Sequence, residues 1–143
     1  MSKTRFVLSG AVVFALGFAA GHVFDGMKAN AQSAKVFELR TYTAPEGKLP
    51  NLLARFRDHT MRIFDRHGMV NVGYWVPQDS PAAENTLIYL LSHDSRTAAE
   101  ASWAAFRDDP EWQRVAEESQ VDGRIVSNVQ SVFLEATDFS PLR

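Results

Sequence analysis

The chain has 143 residues, 15 Lys and Arg against 17 Asp and Glu, and no cysteine. That length holds one domain, or one domain with an appendage, and the near-neutral balance argues against the basic stripe of a nucleic-acid binder. Without cysteine there is no disulfide, no CxxC redox centre, no zinc ribbon and no thiol nucleophile.

Residues 1–5 carry Lys3 and Arg5 and no acid, and residues 6–20 are almost wholly apolar. With the small-residue site Ala29-Asn30-Ala31, residues 1–31 have the parts of a secretory signal peptide. An uncleaved N-terminal anchor is the alternative, since residues 6–24 have only His22 as a clear polar interruption. Either reading exports the domain, to the periplasm or to the outer side of the inner membrane, with contact to the membrane only through this segment.

Residues 36–43 (VFELRTYT) alternate and are rich in β-branched and aromatic residues, which predicts a strand. Ala44-Pro45-Glu46-Gly47 is a turn. Residues 48–67 follow as one helix with an apolar stripe through Leu49, Leu52, Leu53, Phe56, Thr60, Ile63 and Phe64, and Gly68 is placed to end it. Residues 70–77 form a second strand and residues 85–92 a third. Asp94 or Ser95 caps the next helix, whose inner face is Ala99, Ser102, Trp103 and Phe106. Asp109 then caps a further helix with Pro110 at its first position, and residues 128–136 make the last strand.

This β-α-β-β-α-β order is the ferredoxin-like α+β arrangement, a four-stranded antiparallel sheet with helices on one face. The third strand, with Leu87, Ile88, Tyr89, Leu90 and Leu91, is apolar on both sides. The uncovered face is therefore expected to meet a second copy in a homodimer.

Candidate binding residues follow from the polar positions on these strands. Glu38, Arg40 and Tyr42 share one face of the first strand, where a carboxylate, a guanidinium and a phenol could orient a small ligand or form a structural ion pair. Tyr74 and Trp75 point to opposite faces, Tyr74 in phase with Val72 and Val76, and Trp75 with Asn71 and Gly73. Tyr89 needs a hydroxyl partner if buried. His59 lies beside the apolar stripe, as a possible base, haem ligand or plain boundary residue. His67, just before Gly68, reads as a helix-end residue. Trp103, Phe106, Pro110 and Trp112 read as core packing, and no spacing supports a metal site or a resident cofactor.

Glu38-Leu39-Arg40-x-Tyr42, Gly73-Tyr74-Trp75, Tyr89-Leu90-Leu91 and Trp103-x-x-Phe106-x-x-x-Pro110-x-Trp112 together resemble the NIPSNAP domain over about residues 36–139. The resemblance implies the dimeric α/β-barrel superfamily, which also holds cofactor-free antibiotic-biosynthesis monooxygenases, chlorite dismutases and stress-response barrel proteins. Two functions are then expected as rivals. One is a homodimeric barrel that binds a small apolar or aromatic ligand. The other is a cofactor-free monooxygenase or isomerase acting on a phenolic or quinone-like substrate, with Arg40, Tyr42 and His59 assisting deprotonation.

Overall fold

The computed structural model describes residues 35–143, so the expected export segment at residues 1–31 lies outside the described residues. β1 (Val36–Thr43) leads into α1 (Leu49–Arg55), a π-helical turn (Phe56–Thr60) and α2 (Met61–Arg66), which run on as one rod because the backbone stays helical through both junctions. β2 (Val70–Trp75), β3 (Thr86–His93), α3 (Arg96–Asp108), α4 (Pro110–Glu118) and β4 (Asn128–Glu135) complete the domain. The sheet order is β2-β3-β1-β4, with every neighbouring pair antiparallel. This is the expected four-stranded ferredoxin-like α+β topology. Among the described residues no helix is long and apolar enough to cross a membrane.

The helix ends form where the chain supplies the right groups. Gly68, at φ +74°, takes the left-handed conformation that closes the first rod. Its N–H reaches Asp65 O and that of Met69 reaches Phe64 O, the paired bonds of a Schellman motif. Ser95 Oγ accepts from Ala98 N at 3.0 Å and starts α3. Asp109 Oδ1 accepts from Glu111 N and Trp112 N, while Pro110 fills the first turn of α4 without leaving a donor idle. The same Asp109 carboxylate also meets Arg66 at 2.5 Å and His67 Nε2 at 2.6 Å, which ties the α3–α4 corner to the end of α2.

One sheet face carries the helices. Across it, Glu38, Arg40 and Tyr42 of β1 stand opposite Leu91, Tyr89 and Leu87 of β3. Leu52, Phe56, Ile63 and Phe64 from the rod and Trp103 and Phe106 from α3 close over this row and form the core. Burying those side chains is the main favourable term in holding the layers together.

The opposite face is apolar in rows. Val70, Ser92, Phe37 and Leu134 form one row, and Gly73, Leu90, Leu39 and Val132 the next. Val70, Trp75 and Val132 are each about half exposed. Phe37 is buried because the chain after β4 folds back there, with Ser140 and Leu142 beside Phe37, Leu90 and Leu134. Residues after β4 thus cover one corner of the face.

Candidate functional site

The alternation of β1 is what assembles the site. Glu38, Arg40 and Tyr42 project on the helix side, and α3 and α4 stand off far enough to leave a cavity of about 460 Å³. These three residues form its floor, Trp103, Phe106 and Trp112 its helical wall, and Ser131 and Phe133 of β4 the far side. Arg96, Glu100 and Arg107 stand at the mouth, where the Arg96 guanidinium lies 3.5 Å from the Phe133 ring centre. The cavity therefore lies between sheet and helices.

Glu38 is buried, and its carboxylate is filled. Oε1 accepts from Arg40 Nη1 at 2.7 Å and Ser131 Oγ at 2.6 Å. Oε2 accepts from Trp103 Nε1 at 2.6 Å and has His93 Nε2 at 3.1 Å. Burial works to raise its pKa, but the bonds from His93, Ser131, Trp103 and Arg40 outweigh it and hold the group at about 2. A carboxylate so far below neutral is a poor proton acceptor at pH 7. Glu38 is therefore an anchor for donors.

Arg40 is different, because only one end of it is engaged. Its Nη1 bonds Glu38, its guanidinium carbon lies 4.1 Å from the Trp103 ring centre and 5.6 Å from that of Tyr42, and its buried Nε has no hydrogen-bond partner among the described residues. Burial opposes its charge, and Tyr89, Tyr42 and Glu38 more than offset that, so the pKa is raised. A permanent cation stacked on an indole, facing an aromatic-walled space, is a recognition element for a planar molecule with an acceptor oxygen.

The other expected residues go elsewhere. Tyr42 joins the cavity to the core, with its ring 5.7 Å from Phe56 and 5.3 Å from Tyr89. Tyr89 is fully buried. Burial and the neighbouring Tyr42 push its phenol well up, and its hydroxyl has no hydrogen-bond partner among the described residues. Tyr74 stacks on Tyr89 at 5.3 Å and donates to Asn71 Oδ1, and burial raises its phenol above the ordinary tyrosine value. Trp75 lies on the open face and does not reach the cavity. His59 lines a separate groove between the rod and α4, so Arg40, Tyr42 and His59 do not converge as expected for a deprotonating group.

Trp75 and Tyr74 do face opposite ways and Gly73 keeps to the side of Trp75 as expected, but Asn71 does not. A register shift between Asn71 and Gly73 inserts one residue, a β-bulge, so Asn71 shares the helix side with Tyr74 while Gly73 shares the open side with Trp75. Trp103, Phe106 and Trp112 do pack in or against the core, as their spacing predicts, but they also form the cavity wall. Their share in the cavity depends on where α4 turns back at Asp109-Pro110. Among the described residues no group of three or more His, Asp and Glu could hold a metal ion.

A four-stranded antiparallel sheet with helices on one face and a cavity beneath them defines a ferredoxin-like α+β domain. The NIPSNAP family profile matches residues 37–141, and the chain belongs to that family. Among solved structures, a NIPSNAP family protein of unknown function from Agrobacterium tumefaciens is similar at 22% identity and TM-score 0.67, covering 78% of this chain and 96% of its own. A NIPSNAP-like domain protein from Burkholderia xenovorans is similar at 18% identity and TM-score 0.66, covering 76% and 90%. A monooxygenase from Streptomyces coelicolor, in complex with nanaomycin D, shares the fold at 12% identity and TM-score 0.53, covering 77% and 94%. No curated protein of established function matches the chain.

Proposed function

We propose that this protein is an exported, homodimeric binding protein whose cavity takes a small planar aromatic molecule bearing an anionic or carbonyl oxygen. The observation that carries the reading is Arg40, a half-buried guanidinium stacked on Trp103, its buried Nε without a hydrogen-bond partner among the described residues, beside a 460 Å³ aromatic-walled cavity. The apolar rows on the open sheet face support the dimer, because a second copy presents the same rows and a two-fold axis pairs them. Lys3, Arg5 and the apolar run at residues 6–20 support export.

The test is a titration with 1-hydroxy-2-naphthoate, read by quenching of the cavity tryptophans. Saturable quenching that weakens by about tenfold or more in Arg40→Met and in Trp112→Ala is expected from loss of a charge-assisted contact or of the stacking wall. Binding that neither variant changes would remove the cavity from the reading. On a calibrated sizing column the protein should elute as a dimer.

A second reading is a cofactor-free oxygenase acting on a phenolic substrate. The Arg40–Tyr42 pair favours it, since together they would hold a phenolate oxygen. With Glu38 held at about 2 and His59 in another groove, neither of these two would serve as the base that ionises a substrate at Arg40. Oxygen uptake with 1-hydroxy-2-naphthoate that falls in Arg40→Met is expected under this reading, and no uptake would end it.

A further inference from the structure

The rod between β1 and β2 changes its winding at Phe56–Thr60, where the π turn is pinned by Thr60 Oγ1 donating to Arg55 O at 3.2 Å. π turns inside α-helices are uncommon and concentrate at functional sites. Arg55, the residue just before this one, is 7% exposed. Its guanidinium lies 5.2 Å from the Trp112 ring centre, and Nη1 donates to Ser119 Oγ at 3.4 Å. Its Nε has no hydrogen-bond partner among the described residues, and burial pulls its pKa down. Arg40 has Glu38 beside it, whereas Arg55 is buried with a hydroxyl and an indole for company. A buried charge without a counter-charge is costly to keep.

A groove of about 290 Å³ opens onto Arg55 between the rod and α4. Its charges are graded by depth. Arg55 is at the buried end with Ser119, while the carboxylates of Asp58 and Glu118 are exposed along the edge. Ala54 and Val115 supply apolar wall between them. A simple anion would gain Arg55 and be repelled by the edge, and a simple cation would meet the reverse. A molecule carrying both charges on a short apolar frame matches the gradient at both ends. We propose that this groove is a second ligand site, distinct from the cavity at Arg40, and that it binds a small zwitterion of the amino-acid class. The carboxylate sits on Arg55 and the ammonium faces Asp58.

The experiment uses the purified full chain and three probes, followed by calorimetry or ligand-observed NMR. L-leucine carries both charges, 4-methylpentanoate lacks the ammonium, and 3-methylbutylamine lacks the carboxylate. Leucine should bind about tenfold or more tighter than either half-probe, because each half-probe leaves one charge unmatched. Arg55→Met should abolish leucine binding. Asp58→Asn should weaken leucine by about threefold, the scale of an exposed ion pair, and leave 4-methylpentanoate equal or tighter. If Arg55→Met does not fold, the opposite responses of leucine and 4-methylpentanoate in Asp58→Asn decide the question alone. The proposal is overturned if leucine binds no tighter than 4-methylpentanoate, if no probe binds, or if Asp58→Asn affects both probes alike. Asp58→Asn should retain 1-hydroxy-2-naphthoate binding, so failure here is separable from failure of the cavity at Arg40.

Discussion

The indole of Trp103 donates to the carboxylate of Glu38 across 2.6 Å and 65 positions of chain, joining α3 to β1 through a buried bond. Arg40, His93 and Ser131 complete the shell, so one side chain gathers groups from β1, β3, α3 and β4. Breaking a buried charge pair by removing one partner leaves the others uncompensated. Glu38→Ala is therefore expected to cost about 3–5 kcal/mol in urea unfolding, against less than about 1 kcal/mol for removing an exposed pair such as Arg114–Glu118.

Acid should act through the same carboxylate. Glu38 has a lowered pKa in the folded state, about 2 against an ordinary 4.5. A group lowered on folding adds its stability above the unfolded value and loses it as pH falls through the folded one. Thermal stability should thus decline between about pH 4.5 and 2, by roughly 3 kcal/mol from this group if 1.36 kcal/mol is taken per unit. Asp109 is lowered too, chiefly by His67 and Arg66, and adds to the same acid limb. In Glu38→Gln the decline should be shallower, which a melting series against pH would show. An unchanged slope would exclude Glu38 as its source.

Asp109 holds a second junction. It caps α4 and meets both Arg66 and His67. Asp109→Ala should cost about 1–2 kcal/mol for the cap alone, and Asp109→Asn less, since an amide oxygen still caps. The cost of Asp109→Asn against the parent in chemical denaturation isolates the ionic share, and the further cost of Asp109→Ala the cap. Added salt should reduce that share, because Arg66 is well exposed.

Gly73 has no side chain because Trp75 occupies its space. A Cβ there would come within 2.5 Å of the indole. Gly73→Ala should push the Trp75 ring away from the open face while changing monomer stability little, since that ring is already half exposed. If the open face pairs two copies, sedimentation should show a weaker dimer in this variant. Equal dimerisation in Gly73→Ala and the parent would move the interface away from Trp75.

Local signals in the sequence carried the strands and caps. β1 begins and ends where the alternation of Val36–Thr43 does, and Ser95, Asp109-Pro110 and Gly68 act where their turn chemistry places them. What local patterns could not carry is pairing. The bulge before Gly73 is a property of the pairing with β3, so the side taken by Asn71 could not be read from strict alternation. The π turn left the apolar stripe of the rod intact and hid for that reason. The burial of Arg55 has no local signal, because nothing near it in sequence announces that α4 returns over it. The cavity residues were legible as types, but their partners lie too far along the chain. Only the fold could show that Glu38 was filled and Arg40 half free.

The four-way junction at Glu38 limits how the cavity of this family member can be reshaped. The floor of the cavity and the seam between sheet and helices share the same two oxygen atoms, so a substitution that re-tunes the floor also loosens the seam. Variation in what is bound has its freer path at the mouth, through Arg96, Arg107 and Phe133, whose replacement leaves the seam closed. A lineage or an engineer seeking a new ligand would therefore be expected to rewrite the rim and keep the floor.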